Sequence, residues 1–299
     1  MLVLRWIFVA FQRTIRHLII FERTVSNRLS NLPEYSTITE APGLKATAEQ
    51  AARIFQRYRF CREQAAGGDI LESACGSGIG LGYLARGARS VVGADIDEVN
   101  ISAARKGCAQ ILLVRIDAHE LCFSDACFDL VLLLEAVYYL REPARFIGEA
   151  ARVLRSGGQL IIGSVNKDWP DFHPSPFIHR YFSVPEMTEL LAQDFPKVSV
   201  YGGFKIEQSG LKNAIVTKLK HIALNFNLIP GSLKMRAYFK RIFIGQLAPL
   251  PAAVTEDMAP YEPPVPIPAD KPCPDYKIIY FVAKKSGSPT PPASGGQHL

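Results

Sequence analysis

The stretch Ile70-Leu-Glu-Ser-Ala-Cys-Gly-Ser-Gly-Ile-Gly80 holds the densest chemistry in the sequence. An apolar run ends in glycines at 76, 78 and 80. Without Cβ atoms, such a turn lets the backbone come close to a bound ligand and adopt conformations that other residues resist. A glycine turn alone is weak evidence, since many of them only make a bend. Two acidic residues sharpen it. Asp95 ends the next apolar run, Val-Val-Gly-Ala-Asp, 19 residues after Gly76. A carboxylate there can accept hydrogen bonds from both hydroxyls of a ribose. Glu72 lies inside the first run, four residues before Gly76. A carboxylate in a buried strand is costly unless paired, and a ligand amine would be such a partner. Position 81 is Leu, so the third glycine of the dinucleotide pattern GxGxxG is missing.

These residues need a frame to hold them. Residues 69–74, 90–94, 111–114, 128–134 and 159–165 are short apolar runs bounded by Gly, Asp or Asn, and helical stretches fall at 46–62, 79–87, 98–106 and 143–154. Strands alternating with helices, and nearly continuous apolar strands, predict an α/β fold with a parallel sheet covered on both faces. Right-handed crossovers then make it open and doubly wound. Past residue 166 the rhythm loosens. Residues 205–245 read as helical and basic, and 249–274 contain nine prolines, predicting an extended surface segment and no second core. Residues 276–283 make one more strand, and 286–299 a disordered tail. The expected organisation is therefore an N-terminal helix and linker (1–43), a core (44–204), a helical then proline-rich insertion (205–275), a final core strand (276–285) and the tail (286–299).

Further motifs follow in order: Asp117-Ala-His-Glu-Leu, Phe128-Asp-Leu-Val-Leu-Leu-Leu-Glu135 and Arg152-Val-Leu-Arg-Ser-Gly-Gly158. With Glu72, Gly76, Gly78, Gly80 and Asp95, they make residues 66–166 resemble the class I S-adenosylmethionine-dependent methyltransferases, most of all the bacterial type 11 small-molecule branch. The resemblance implies a Rossmann-like, mostly parallel seven-stranded sheet, closed by residues 276–284 as an antiparallel strand, and S-adenosylmethionine as cofactor. Glu72 would then meet the methionine amine, directly or through water. The backbone at Gly76 and Gly78 would touch the methionine moiety, with Ala74 in the same binding set. Asp95 would hold the ribose, Ile96 would pack on adenine, and Asp117 and Ala118 would line its edge. Glu135 would face the cofactor from the end of the fourth strand. For Gly80 and Ile96, simple packing is the competing reading.

A sulfonium methyl is already activated, so such an enzyme mainly aligns the reactants and excludes water. An oxygen nucleophile also has a proton to lose, which calls for a base. The loops after the fourth and fifth strands hold Tyr138, Tyr139, Asp168, Trp169, Asp171 and His173. Tyr138 and His173 are the expected catalytic residues, His173 because imidazole titrates near neutrality. The plainer reading of His173 is a loop histidine bonded to backbone beside Pro174, and His119 reads as a helix-start residue. Trp169, Phe172 and Phe177 would roof an acceptor pocket, or else cap the core. The expected activity is methyl transfer to a small molecule or glycan, at oxygen. Methylation of nucleic acid is an alternative, but Glu135-Ala-Val-Tyr138 departs from the [Asp/Asn/Ser]-Pro-Pro-aromatic pattern of amino-group base methylases. A nicotinamide enzyme or a non-catalytic binder on the same fold is a further one, disfavoured by Glu72 and the missing glycine.

Composition sets outer bounds. The 299 residues are 48% hydrophobic and 21% charged, an ordinary globular balance. The net charge of +6 permits weak attraction to nucleic acid or anionic lipid, but no basic run concentrates it, and a solvated surface is the preferred reading. The six cysteines form no CxxC pair, which argues against a zinc site and for a reduced, cytoplasmic chain. At the N-terminus, residues 2–11 are apolar except Arg5, and Gln12, Arg13, Arg16 and His17 then interrupt. A membrane span needs roughly 20 apolar residues, so none is expected, nor a secretory signal. Leu4, Ile7, Phe8, Phe11, Ile15, Leu18 and Ile19 share one helical face, with arginines opposite. Such a basic amphipathic helix in residues 1–30 would give peripheral membrane contact, or would pack on its own domain or a second subunit.

Overall fold

The computed structural model describes residues 39–65, 67–175, 178–206 and 247–287. The chain enters through β1 (Lys45–Ala46) and α1 (Ala48–Gln64). The Thr47 hydroxyl accepts the Gln50 amide, while the Gln50 side chain accepts the Thr47 amide. This reciprocal cap fixes where α1 begins. The alternation then runs β2 (Asp69–Ser73), α2 (Leu81–Ala85), β3 (Ser90–Asp95), α3 (Glu98–Gly107), β4 (Leu112–Arg115), β5 (Phe128–Leu134), α4 (Pro143–Val153) and β6 (Leu154–Val165). After it come α5 (Val184–Leu191), β7 (Lys197–Lys205), β8 (Ala248–Pro249), β9 (Val265–Ile267) and β10 (Tyr276–Lys284).

The main sheet has the order β4-β3-β2-β5-β6-β10-β7-β9. Strands β2 to β6 are mutually parallel, and β10 runs antiparallel between β6 and β7. From β2 the chain winds outward to β4, and from β5 it winds the other way. The switch point between β2 and β5 is where such sheets bind ligands. Alternate residues of one strand serve opposite cores: Ile70 belongs to the core that holds Ile54, Phe55, Leu84 and Ile101, and Leu71 to the one that holds Phe146, Ile147, Met187 and Leu191. Both faces are thus covered, the arrangement that a nearly continuous apolar strand requires.

Two strands depart from the expectation. The sheet has eight strands, not seven, because Val265–Ile267 in the proline-rich segment pairs with β7. β7 itself is hidden in the sequence by Gly202-Gly203, which carry no side chain to mark its alternation. A Cβ at Gly202 would lie 2.4 Å from the Tyr276 ring, and one at Gly203 2.4 Å from Gln56 Oε1.

The proline-rich segment is more than surface. β8 pairs with β1, Leu250 and Val254 are buried, and the Val254 amide donates to the Ile79 carbonyl. Glu256 joins Arg59 and Arg62 of α1. The segment straps α1 to the glycine loop. The expected N-terminal amphipathic helix, most of the helical stretch 205–245 and nearly all of the tail lie outside the described residues. No helix among the described residues is long and apolar enough to cross a membrane.

Candidate functional site

At the carboxyl edge of the parallel strands the structure holds a cavity of about 510 Å³. Its wall includes Glu72 near the end of β2, Ala74 and Gly76 in the following loop, Asp95 at the end of β3 and Ile96 after it, Asp117 and Ala118 after β4, and Glu135 and Tyr138 after β5. Of the residues expected to bind a cofactor, all but Gly78 meet there. Gly78 has φ +74, and a Cβ on it would lie 2.9 Å from that of Ala104. It serves the approach of α3 instead. Gly80 also packs: a Cβ there would stand 2.0 Å from the Tyr58 ring.

Glu72 is 1% exposed. Its Oε1 accepts a 2.7 Å hydrogen bond from the Tyr58 hydroxyl, and its Oε2 is buried with no partner among the described residues. Burial pushes the carboxyl up to about 7, against the opposing pull of the Tyr58 hydrogen bond and Arg57. An open, buried carboxylate oxygen on a cavity wall is a seat for an ammonium group. This orphaned atom fits the amino-acid end of S-adenosylmethionine.

Asp95 has a second task that the spacing did not reveal. Its Oδ2 accepts the Gly76 amide at 2.8 Å, and its Oδ1 accepts the Asp97 amide at 2.9 Å. The carboxylate therefore ties β3 to the glycine loop while facing the cavity. Burial raises its pKa, and the two amides oppose that shift. Two of the four described non-glycine residues with positive φ lie at this edge. Ala74 and Glu135, at the ends of neighbouring strands, have φ of 56° and 53°. Left-handed backbone costs a non-glycine residue about 1 kcal/mol or more, and it clusters where function over-determines the chain. Glu135 Oε2 accepts a 2.8 Å hydrogen bond from the Tyr138 hydroxyl, and burial raises its carboxyl while Arg57 counters.

Several wall residues were not expected. Gln50, Arg53, Arg57 and Tyr58 come from α1, Thr39 and Glu40 from the segment before it. The signal was faint: arginines at 53 and 57 on the helix face that buries Ile54 and Tyr58. Arg57 is buried and ion-paired with Glu40. His119 also lines the cavity, but as a brace: Nδ1 lies 2.6 Å from Asp117 Oδ1, and Nε2 accepts the Glu142 amide.

The loop after β6 is placed differently from the expectation. His173 and Asp171 are exposed and are not part of the cavity wall, and Asp168 is also outside it. Trp169 packs with Arg53 and Lys277, whose charged groups lie 6.0 and 5.4 Å from its ring. Phe172 stacks edge-on against Tyr181, which in turn packs on Tyr138. These aromatics brace the wall from behind rather than roof the cavity, and Phe177 lies outside the described residues. No group of three or more His, Cys, Asp or Glu among the described residues can hold a metal ion.

Residues 71–162 match a family model, type 11, described as a methyltransferase domain. A probable S-adenosylmethionine-dependent methyltransferase of Mycolicibacterium smegmatis is 31% identical over 156 residues, which is 51% of this chain and 58% of that protein. An O-methyltransferase of Penicillium expansum is 28% identical over 175 residues, 56% of this chain and 63% of that protein. The chain thus matches under two thirds of the length of each. Among solved structures, the [4+2]-cyclase SpnF superposes with a TM-score of 0.50 at 15% identity, covering 84% of this chain and 86% of that one. That likeness concerns the fold alone.

Proposed function

Since the core of this chain is a class I, type 11-like S-adenosylmethionine-dependent methyltransferase domain, we propose that it transfers a methyl group to a hydroxyl of a small molecule or sugar. The observation that carries this reading is the unpartnered Oε2 of Glu72, buried on a cavity wall beside the Gly76 loop. Glu72 holds the ammonium of the cofactor, the Gly76 loop and Ala74 lie along its methionine part, and Asp95 takes the ribose hydroxyls. Ile96, Asp117 and Ala118 receive the adenine. When bound, the cofactor supplies a methyl group already activated on a positively charged sulfur.

The chain supplies position, dryness and a place for one proton. Glu135 stands at the cavity wall with its carboxyl raised by burial, and Tyr138 steadies one of its oxygens. A carboxylate so placed can accept the proton that a hydroxyl acceptor releases. A wall of Tyr138, Tyr139 and Leu140 suits a small, partly apolar acceptor. The named O-methyltransferase of Penicillium expansum supports oxygen as the accepting atom.

Calorimetry with S-adenosylmethionine, its demethylated product and NAD tests the cofactor, and only the two sulfur ligands should bind. Mass spectrometry of hydroxylated small molecules and oligosaccharides incubated with methyl-labelled cofactor tests the acceptor. Tight NAD binding without response to either sulfur ligand would sink the reading.

A further inference from the structure

The ammonium is only half of an amino-acid group, and its carboxylate needs a cation. Arg57 lies next along α1 to Tyr58, whose hydroxyl holds Glu72, and it lines the same cavity. Its side chain is 9% exposed. Glu40 faces the two terminal nitrogens, with Nη1 3.4 Å from Oε1 and Nη2 paired with Oε2. The Nε is buried with no partner among the described residues. One edge of the guanidinium is thus taken by the chain's own carboxylate, and the buried Nε is left unpaired.

Glu40 is not a core residue. Its side chain is 40% exposed, and it belongs to a short segment laid over the glycine loop. There the Ser77 hydroxyl donates to the Glu40 carbonyl at 2.7 Å, and Asn100 Nδ2 donates to Thr39 Oγ1 at 3.1 Å. The Thr39 methyl lies over Gly76, where a Cβ would come within 2.7 Å of it. A buried guanidinium left without an opposite charge is strongly destabilising. Glu135 and Glu72 act on Arg57 at longer range, and Glu40 is the carboxylate that meets it at hydrogen-bond distance.

We propose that Arg57 is the seat of the carboxylate of the cofactor's amino-acid group, and that Glu40 is an internal surrogate holding that seat when no ligand is bound. The inference rests on the cavity being a cofactor site, as read above. Glu72 and Arg57 then recognise a zwitterion, one group for each charge, and ligand entry exchanges one carboxylate for another at Arg57. The segment carrying Thr39 and Glu40 is thereby released from Arg57 on binding.

The test compares S-adenosylhomocysteine with S-adenosyl-3-thiopropylamine, the same molecule without its carboxylate, by calorimetry on the full chain. Wild type should prefer S-adenosylhomocysteine by about tenfold or more, the gain of a charge-assisted pair. Arg57→Met should bring that ratio close to one, and Arg57→Lys should keep part of it. Glu40→Gln removes the competing carboxylate and should tighten S-adenosylhomocysteine about threefold to tenfold, leaving the decarboxylated ligand unchanged. A wild-type ratio near one, a ratio surviving in folded Arg57→Met, or weaker binding in Glu40→Gln would each overturn the proposal. If Arg57→Met does not fold, Glu40→Gln decides alone, and unchanged affinity there overturns it. Failure of wild type to bind either ligand would overturn the cofactor reading as well.

Discussion

Strands β2 and β5 carry acids near both ends, and the two ends are treated in opposite ways. At the amino end, Asp69 and Asp129 share two arginines: Arg155 reaches Asp69 at 2.9 Å and Asp129 at 2.7 Å, and Arg89 reaches them at 3.0 and 2.9 Å. Burial works against the charge of Asp129, but the Asp69 amide and Arg155 overcome it and hold the carboxyl below its ordinary range. At the carboxyl end, Glu72 keeps an unpaired oxygen, and Glu72 and Glu135 titrate above the ordinary range. The acids are similar, but the pair at the amino end is partly exposed and closed by arginines, while the pair at the carboxyl end is buried. Where two guanidiniums close on a carboxylate, it fastens strands; where an oxygen is left bare in a cavity, it waits for a ligand.

The largest test of that contrast is Glu72→Gln. It should weaken S-adenosylmethionine about 100-fold by calorimetry, a loss of roughly 2–3 kcal/mol for a buried charged hydrogen bond. An unchanged Kd would erase the distinction between the two ends.

Next comes pH. Folded Glu72 titrates at about 7, and its ordinary value is 4.5. The folded state therefore holds an extra proton between those values. The contribution to stability is complete below the lower value and fades as pH rises through the upper one. Ammonium binding needs the carboxylate, so affinity should run the other way, tightening by up to about tenfold per pH unit below 7 and levelling above. Melting curves and binding isotherms across pH 5–8 should move in opposite directions, and a flat affinity would dismiss Glu72 from this role.

Asp95→Asn should cost about tenfold in affinity, by weakening both the ribose seat and the cap on the Gly76 amide. It should also lower the Tm by a few degrees, since two backbone amides lose a charged acceptor. A loss of affinity with no change in Tm would leave Asp95 with the ligand task alone.

At the amino end, Asp129→Asn should lower stability by about 1 kcal/mol or less, because its partners are partly solvated, and leave cofactor affinity untouched. The smallest effect should come from His173→Ala. An exposed imidazole away from the cavity wall should leave affinity and turnover within about twofold. A clear loss of turnover would carry the functional edge out to the loop after β6.

What could be read beforehand follows the strength of the physical signal. Runs such as Leu130–Leu134, buried on both faces, announce central parallel strands, and the glycine turn with Glu72 and Asp95 announces the cavity. β7 was silent because its glycines exist to admit neighbouring side chains, and Val265–Ile267 because prolines argue against pairing. Arg57 escaped notice because an arginine on an amphipathic helix reads as solvated, and only the fold shows that it turns inward. His173 misled for the converse reason. It follows the right strand in sequence, but its side chain is exposed and lies outside the cavity wall.

The position of β10 has a consequence for how the molecule comes into being. This late segment inserts between β6 and β7, pairing with both, and it contributes Ile278 and Tyr280 to the cavity wall. During synthesis the first five parallel strands can assemble early, but β6 must wait with an unpaired edge until residue 284 has emerged. Such an edge is a template for wrong partners. Nascent chains are thus most vulnerable to aggregation in that interval. Pairing of the β6 edge and completion of the cavity wall by Ile278 and Tyr280 thus come in the same step.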